Sequence, residues 1–254
     1  CYKRGDFYYM AFASTCCPEG IGYAMSKSPT GPWEHKGHIM DHTPRNRGNH
    51  PGIADYKGHT YLFGQNYDIK NIDILRHYER RSVSFTEMKY NADGTIQELP
   101  LWLDQEQNVQ LELFNPYRRV EAETMNWGYG LKSAKIGFDN TGIVEKMPYS
   151  EGKREMYIYH LDKDEYIRLR GVDFGAGAKN YTISAAGTGS AKLTIRLDSP
   201  DGEVVGTVNI KSTGKVEKYR QFSTKINGAS GVHDLYICID EAEGDVRLDW
   251  WRFK

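Results

Sequence analysis

The sequence predicts an all-β protein built from two units. Three observations carry that reading. Short apolar–polar runs fill the chain at period two, and Gly, Pro and Asn turn signals separate them. No stretch of about twelve residues carries a capped helical period. In the second half, such runs recur at the spacing of a β-sandwich.

The first unit is read over residues 1–100. Its strands are "DFYYMAFAS", "GIGYAMSKS", "HTYLFGQNY" and "RRSVSFTEMKY". The turns between them have specific chemistry in "SPTGPW" and "NADGT". Pro29 presets φ, Gly31 and Gly94 accept φ > 0, and Asp93 can hydrogen-bond its own backbone. Residues 101–114, beginning "LWLDQEQNVQLELF", read as a linker. The second unit, 115–254, holds "RVEAETM", "EYIRLRGVDFG", "NYTISAAG", "AKLTIRLDSPDGEVVGTVNI", "KYRQFSTKI", "VHDLYICID" and "VRLDWWRF". It has the size of a complete sandwich domain.

Composition narrows the partners. The 33 basic and 34 acidic residues leave a net charge of −1, so no global field draws nucleic acid or an anionic membrane. No apolar run approaches the ~18 residues of a membrane-spanning helix. The 18 Tyr, 9 Phe and 5 Trp suit short strands and surfaces that stack on flat ligands. Cys1, Cys16, Cys17 and Cys238 have neither zinc-ligand spacing nor a disulfide framework and read as buried free thiols.

Two family resemblances cover nearly the whole chain. "YKRGDFYYMAFAS", "PEGIGYAMSKSPTGPW", "GNHPGIADYKGHTYLFG" and "RRSVSFTEMKYNADGTIQELP" together resemble the C-terminal part of a family 43 glycoside hydrolase of the arabinoxylan arabinofuranohydrolase type. "NPYRRVEAETM" through "GVHDLYICIDEAEGDVRLDWWRFK" resembles a family 6 carbohydrate-binding module. The implied fold is the C-terminal part of a five-bladed β-propeller followed by a β-sandwich (jelly roll). The implied chemistry is inversion, with one carboxylate activating water and a carboxylic acid protonating the leaving oxygen. A third carboxylate tunes the acid.

By that resemblance no catalytic carboxyl lies in this chain. The base and the modulating Asp align before residue 1, and the acid Glu aligns about four residues ahead of Cys1, just before the Tyr2–Lys3 pair. The chain alone is therefore expected to hydrolyse nothing. Glu19 reads either as a solvated turn residue or as a substitute acid, but one carboxyl cannot serve as both acid and base.

The resemblance also assigns binding roles. His50, in "GNHPGI", matches a histidine that points into the propeller channel, touches substrate and helps hold a metal ion there. Arg81, in "ERRSV", matches an arginine bordering the substrate pocket. In the second unit, Glu121, Glu123 and Asp249 match carboxylates that bind a structural calcium tying the first strand to the last. At the sugar cleft the sequence departs from the family pattern. His160, Val216 and Arg247 stand where a Tyr, a Trp and an Asn are usual. We take His160 and Arg247 as the candidate sugar contacts there. Tyr157 or Tyr159 would supply a ring, one of the two pointing inward. A second surface of the sandwich, or a structural role, stays open.

The resulting expectation is a fragment of an inverting enzyme that removes arabinofuranosyl side chains from arabinoxylan. The alternatives are a β-xylosidase, an arabinan-acting enzyme, or a non-catalytic carbohydrate-binding or spacer protein. The expected partner is a plant polysaccharide, with no organic cofactor. The parent is expected to be a monomer, secreted or periplasmic, with any signal peptide upstream of this chain.

Overall fold

A computed structural model describes residues 1–14, 19–42, 49–66, 83–104, 108–135 and 156–254. Among them the only helical element is a 3-10 turn at Trp102–Asp104. No helix there is long and apolar enough to cross a membrane. The chain divides into Cys1–Val109 and Gln110–Lys254, so the cut falls inside the predicted linker. Trp102 belongs to the core of the first unit and Phe114 packs on the core of the second.

The first unit contains two antiparallel sheets. One has the order β1 (Tyr2–Arg4), β2 (Phe7–Ser14), β3 (Gly20–Ser26) and β4 (Glu34–Met40). The other has β5 (Gly52–Tyr56), β6 (His59–Gln65) and β7 (Val83–Met88). Strand β3 is buried along its whole length, as expected of an inner strand covered on both faces. Both predicted turns form. The Gly31 amide donates to Ser28 O at 3.2 Å, and the Gly94 amide, at φ 87°, donates to Asn91 O at 3.0 Å.

Tyrosine hydroxyls pin these elements together. Tyr9 Oη donates to Gly94 O at 2.8 Å, and Tyr23 Oη accepts the Ile96 amide at 3.0 Å. Tyr2 and Tyr90 share a hydroxyl–hydroxyl bond of 2.8 Å, with the Arg4 guanidinium 4.3 Å from the Tyr90 ring centre. Arg4 also reaches Asp55 at 3.8 Å, which ties β1 to β5. Gly64 allows the Trp102 ring to lie directly on the backbone, because a Cβ there would stand 2.5 Å from Trp102 Cζ2.

The second unit is a β-sandwich. Its six-stranded sheet comprises β8 (Val120–Glu121), β10 (Lys132–Lys135), β11 (Met156–Tyr159), β13 (Asn180–Gly187), β16 (Arg220–Lys225) and β18 (Val246–Phe253). The facing sheet comprises β9 (Trp127–Tyr129), β12 (Tyr166–Asp173), β14 (Ser190–Leu197), β15 (Val204–Ile210) and β17 (Val232–Glu243). Period-two alternation sends Ile167, Leu169, Leu193, Ile195, Leu235 and Ile237 inward, and Leu248 and Trp251 of β18 join them in the core. Around Trp251 the rings of Tyr181, Phe253 and Phe114 lie at centroid distances of 6.1, 5.8 and 6.3 Å.

Strand β18 carries a bulge that matters for function. Ser184 pairs with Trp250 and Ala185 with Leu248, so Asp249 is the extra residue. The bulge turns Asp249 outward while Leu248 and Trp251 stay in the core. Replacing Trp251 by Ala should cost the sandwich about 3–5 kcal/mol through the cavity left behind. Urea unfolding monitored by near-UV circular dichroism would show it as a lowered midpoint.

Candidate functional site

The outer face of the five-stranded sheet carries a row of aromatic rings. Ile167 and Leu169 point into the core, so Tyr166 and Arg168 of β12 point out. The register places Tyr166 beside Tyr129 and Arg168 beside Trp127 on β9. Across the other edge, Tyr166 lies beside Cys238 and Arg168 beside Tyr236 on β17. Tyr129 and Tyr166 stack at 5.3 Å with planes 13° apart, and Tyr166 meets Tyr236 at 5.4 Å. Trp127, Tyr129 and Tyr166 are half-buried, leaving ring surface in solvent.

Polar side chains hold this row in place. Arg168 Nη2 donates to Asp234 Oδ2 at 2.8 Å, and its guanidinium lies 5.8 Å from the Tyr236 ring centre. Gly171 N donates to the other Asp234 oxygen at 3.0 Å. Thr194 Oγ1 donates to Asp240 Oδ1 at 2.8 Å, and Arg196 reaches both Thr194 and Gly202 O. Burial works to raise the Asp234 carboxyl, but the bonds from Arg168 and the Gly171 amide outweigh it and hold it below the ordinary value. The buried thiol of Cys238, on the same face, is pushed up to about 11 by desolvation, whereas Cys1 is exposed rather than buried.

The second candidate surface is the end of β11. The two residues expected as sugar contacts there lie around a pair of tyrosines. Tyr159 touches the His160 ring at 4.5 Å and the Tyr157 ring at 5.5 Å. The Arg247 guanidinium sits 4.7 Å from the Tyr157 ring centre, steered by Asp245 at 3.3 Å. Tyr157 is only 2% exposed and Tyr159 is half-buried. The expectation that one tyrosine points inward is corrected here. Ile158 takes the core position, and both tyrosines, two residues apart, share the outer side. His160 is exposed and adopts φ 56° at the strand end.

The third is the junction of the first and last sandwich strands. Pairing of Glu121 with Trp250, and an Ala122 amide bond to Asp249 O at 2.8 Å, gather Glu121, Glu123 and Asp249. Ser184 Oγ donates to Asp249 Oδ2 at 3.1 Å. Arg119 grips Glu121 with two bonds of 2.8 and 3.0 Å. Among the described residues, Glu123 Oε2 is buried and has no hydrogen-bond donor. Burial raises the Glu123 carboxyl, and the charges of Glu121 and Asp249 add to the rise. Among the described residues no three His, Cys, Asp or Glu side chains converge at ligating distance. The donor set still suits a hard cation, since all three side chains are carboxylates and one offers an unsatisfied buried oxygen.

A family model, carbohydrate binding module (family 6), matches residues 121–254. The chain belongs to that family. Over 248 residues it is 30% identical to the arabinoxylan arabinofuranohydrolase of Bacillus subtilis (strain 168), covering 93% of this chain and 45% of that protein. The enzyme of the same name from Paenibacillus polymyxa is 30% identical over 264 residues, covering 98% of this chain and 40% of that one. A crystal structure of a glycoside hydrolase family 43 arabinoxylan arabinofuranohydrolase from Bacillus subtilis, in complex with cellotetraose, superposes with a TM-score of 0.75 at 28% identity. The match takes in 100% of this chain and 53% of that structure. The chain thus spans less than half the length of the curated relatives it matches. The first unit matches part of that family 43 structure and has its propeller-type fold, and the second is a family 6 module.

In the propeller-type unit the structure places His50 on the surface, exposed beside a fully buried Asn49. Glu19 accepts the Asn49 amide at 2.9 Å, which gives this carboxylate a place in the loop framework. The Asn49 side chain itself makes no hydrogen bond among the described residues. Arg81 lies outside the described residues.

Sequence reasoning left the aromatic row of the family 6 module unassigned. Its signal was the spacing of "WGY", "EYIRLR" and "DLYICID", three period-two runs whose outward positions are aromatic or charged. Only strand order shows that they are neighbours. Because the Asp234 carboxyl is held low, it stabilises the fold above its unfolded value and loses that contribution as pH falls through the folded one. Asp234→Asn should therefore flatten the loss of melting temperature between about pH 4 and pH 2, measured by thermal denaturation across that range.

Proposed function

We propose that this chain is the polysaccharide-holding portion of an inverting arabinofuranohydrolase that removes arabinofuranosyl branches from arabinoxylan. The observation that supports it best is 30% identity to an enzyme of that name across 93% of the chain, through both units in one order. The aromatic row supplies the binding surface. Tyr129, Tyr166 and Trp127 present flat apolar faces to the C–H faces of sugar rings, while Arg168 and Asp234 fix the neighbouring polar geometry. This row is favoured over the end of β11, because Arg247 already covers Tyr157.

Inversion needs two carboxyls about 6.5–9.5 Å apart. Glu19 alone does not make such a pair, and one of its carboxylate oxygens accepts the Asn49 backbone amide. The acid, the base and the modulating carboxylate belong to an upstream segment, and the present residues bind without hydrolysing. His50 and Arg81 border the pocket in that assembly. Calcium at Glu121, Glu123 and Asp249 is structural, tying β8 to β18. Action on a polymer that cannot enter cells places the protein outside the cytoplasm, secreted or periplasmic.

Isothermal titration of the chain with xylo-oligosaccharides should show binding that Tyr166→Ala weakens about tenfold. Unchanged binding in Tyr166→Ala, with loss in His160→Ala or Arg247→Ala, would move the site to the end of β11. Arabinose release from arabinoxylan should require the upstream segment. Release by these 254 residues alone would overturn the placement of the catalytic carboxyls.

A further inference from the structure

Three places in the chain set a glycine directly after Asp or Asn: Asp93–Gly94, Asp201–Gly202 and Asn227–Gly228. At such a pair the side chain can close a five-membered imide on the glycine amide, provided that amide is free to attack. The first two are tied down. The Gly94 amide donates to Asn91 O at 3.0 Å, and Asp93 Oδ1 accepts bonds from Thr95. The Gly202 amide donates to Ser199 O at 3.0 Å. The third pair is open. Asn227 and Gly228 are both exposed, in the loop between β16 and β17. Among the described residues, neither the Gly228 amide nor the Asn227 carboxamide makes a hydrogen bond. Gly228 adopts φ 89°, a conformation that glycine takes without a side-chain penalty.

We propose that Asn227 is a self-modification site of the sandwich, converted to aspartate and isoaspartate by the amide that follows it. The Gly228 nitrogen attacks Asn227 Cγ. The N–Cγ bond forms, the Cγ–Nδ2 bond breaks, and ammonia leaves with the proton of the Gly228 amide. Water then opens the imide at either carbonyl. One opening gives aspartate, and the other gives isoaspartate with an additional methylene in the backbone. No oxidant, reductant or cofactor enters. The pair sits between two anchors: Asn227 N donates to Val205 O at 2.9 Å, and Ala229 O accepts the Ala178 amide at 2.9 Å. The flanking Ile226 and Ala229 belong to the core. A longer backbone between those anchors displaces close-packed residues. Both products also bring a carboxylate near Glu203, whose Oε1 stands 3.2 Å from where a Cβ on Gly228 would lie. Like charges there repel. The sandwich therefore loses stability as Asn227 converts.

The test incubates the native chain and the urea-unfolded chain side by side in mildly alkaline buffer. Peptide mass spectrometry, with isoaspartate labelled by protein isoaspartate methyltransferase, locates and counts the products. The native chain should convert Asn227 about as fast as the unfolded one, and isoaspartate at Asp93 and Asp201 should form in the unfolded chain alone. Asn227→Gln, whose longer side chain closes a less favoured ring, should stay unmodified. Native chain enriched in isoaspartate should melt below fresh chain, while Asn227→Gln incubated equally should not change. Conversion of Asn227 more than about tenfold slower in the native chain, or equal native conversion at Asp93 or Asp201, overturns the proposal. Equal melting of aged and fresh chain overturns the stability consequence.

Discussion

The closing strand β18 is the constraint on which the sandwich depends. It pairs with β11, β13 and β8, and so joins residues from the beginning, middle and end of the unit. Its inward residues, Val246, Leu248, Trp251 and Phe253, are all buried in the core. Its outward residues Arg247, Asp249 and Trp250 each take part in one of the charged or aromatic arrangements described above. The bulge lets one strand do both jobs. Without the extra residue, strict alternation could not keep both Leu248 and Trp251 inward with two outward residues between them.

The two outer aromatic arrangements of the module differ in who uses the ring faces. At the end of β11, the protein's own Arg247 takes the face of Tyr157, and burial closes the remainder. On the five-stranded sheet, the guanidinium of Arg168 is drawn to Asp234 and lies over the deeper Tyr236. Tyr129 and Tyr166 are left stacked together with surface to spare. A cation–π contact and a sugar stack compete for the same ring area.

In the propeller-type unit the connecting principle is hydroxyl reach. Tyr2, Tyr9 and Tyr23 each bury a ring in or against one core and spend the hydroxyl on the segment from Tyr90 to Ile96. That segment returns to the sheet through the Leu99 amide, which donates to Ile39 O at 2.7 Å. Gly64 and Trp102 complete the core by direct contact of ring and backbone, which draws a residue of the predicted linker into the first unit.

The all-β class, the two units, the turns at Gly31 and Gly94 and the sandwich strands were legible in the sequence. Each is set by local chemistry: period-two alternation, φ preference, and Asx or glycine turn residues. The departure of His160 and Arg247 from the family pattern was read through resemblance. Three features were decided only by the tertiary structure. Strand order made neighbours of Tyr129, Tyr166 and Tyr236, which lie 37 and 70 positions apart in the chain. The bulge at Asp249 set which way that carboxylate faces. The fork of Arg119 placed a guanidinium where only a metal had been expected. Contacts between distant residues depend on register and side-chain reach, and these are settled when sheets pair and pack, not by the residues along any one strand.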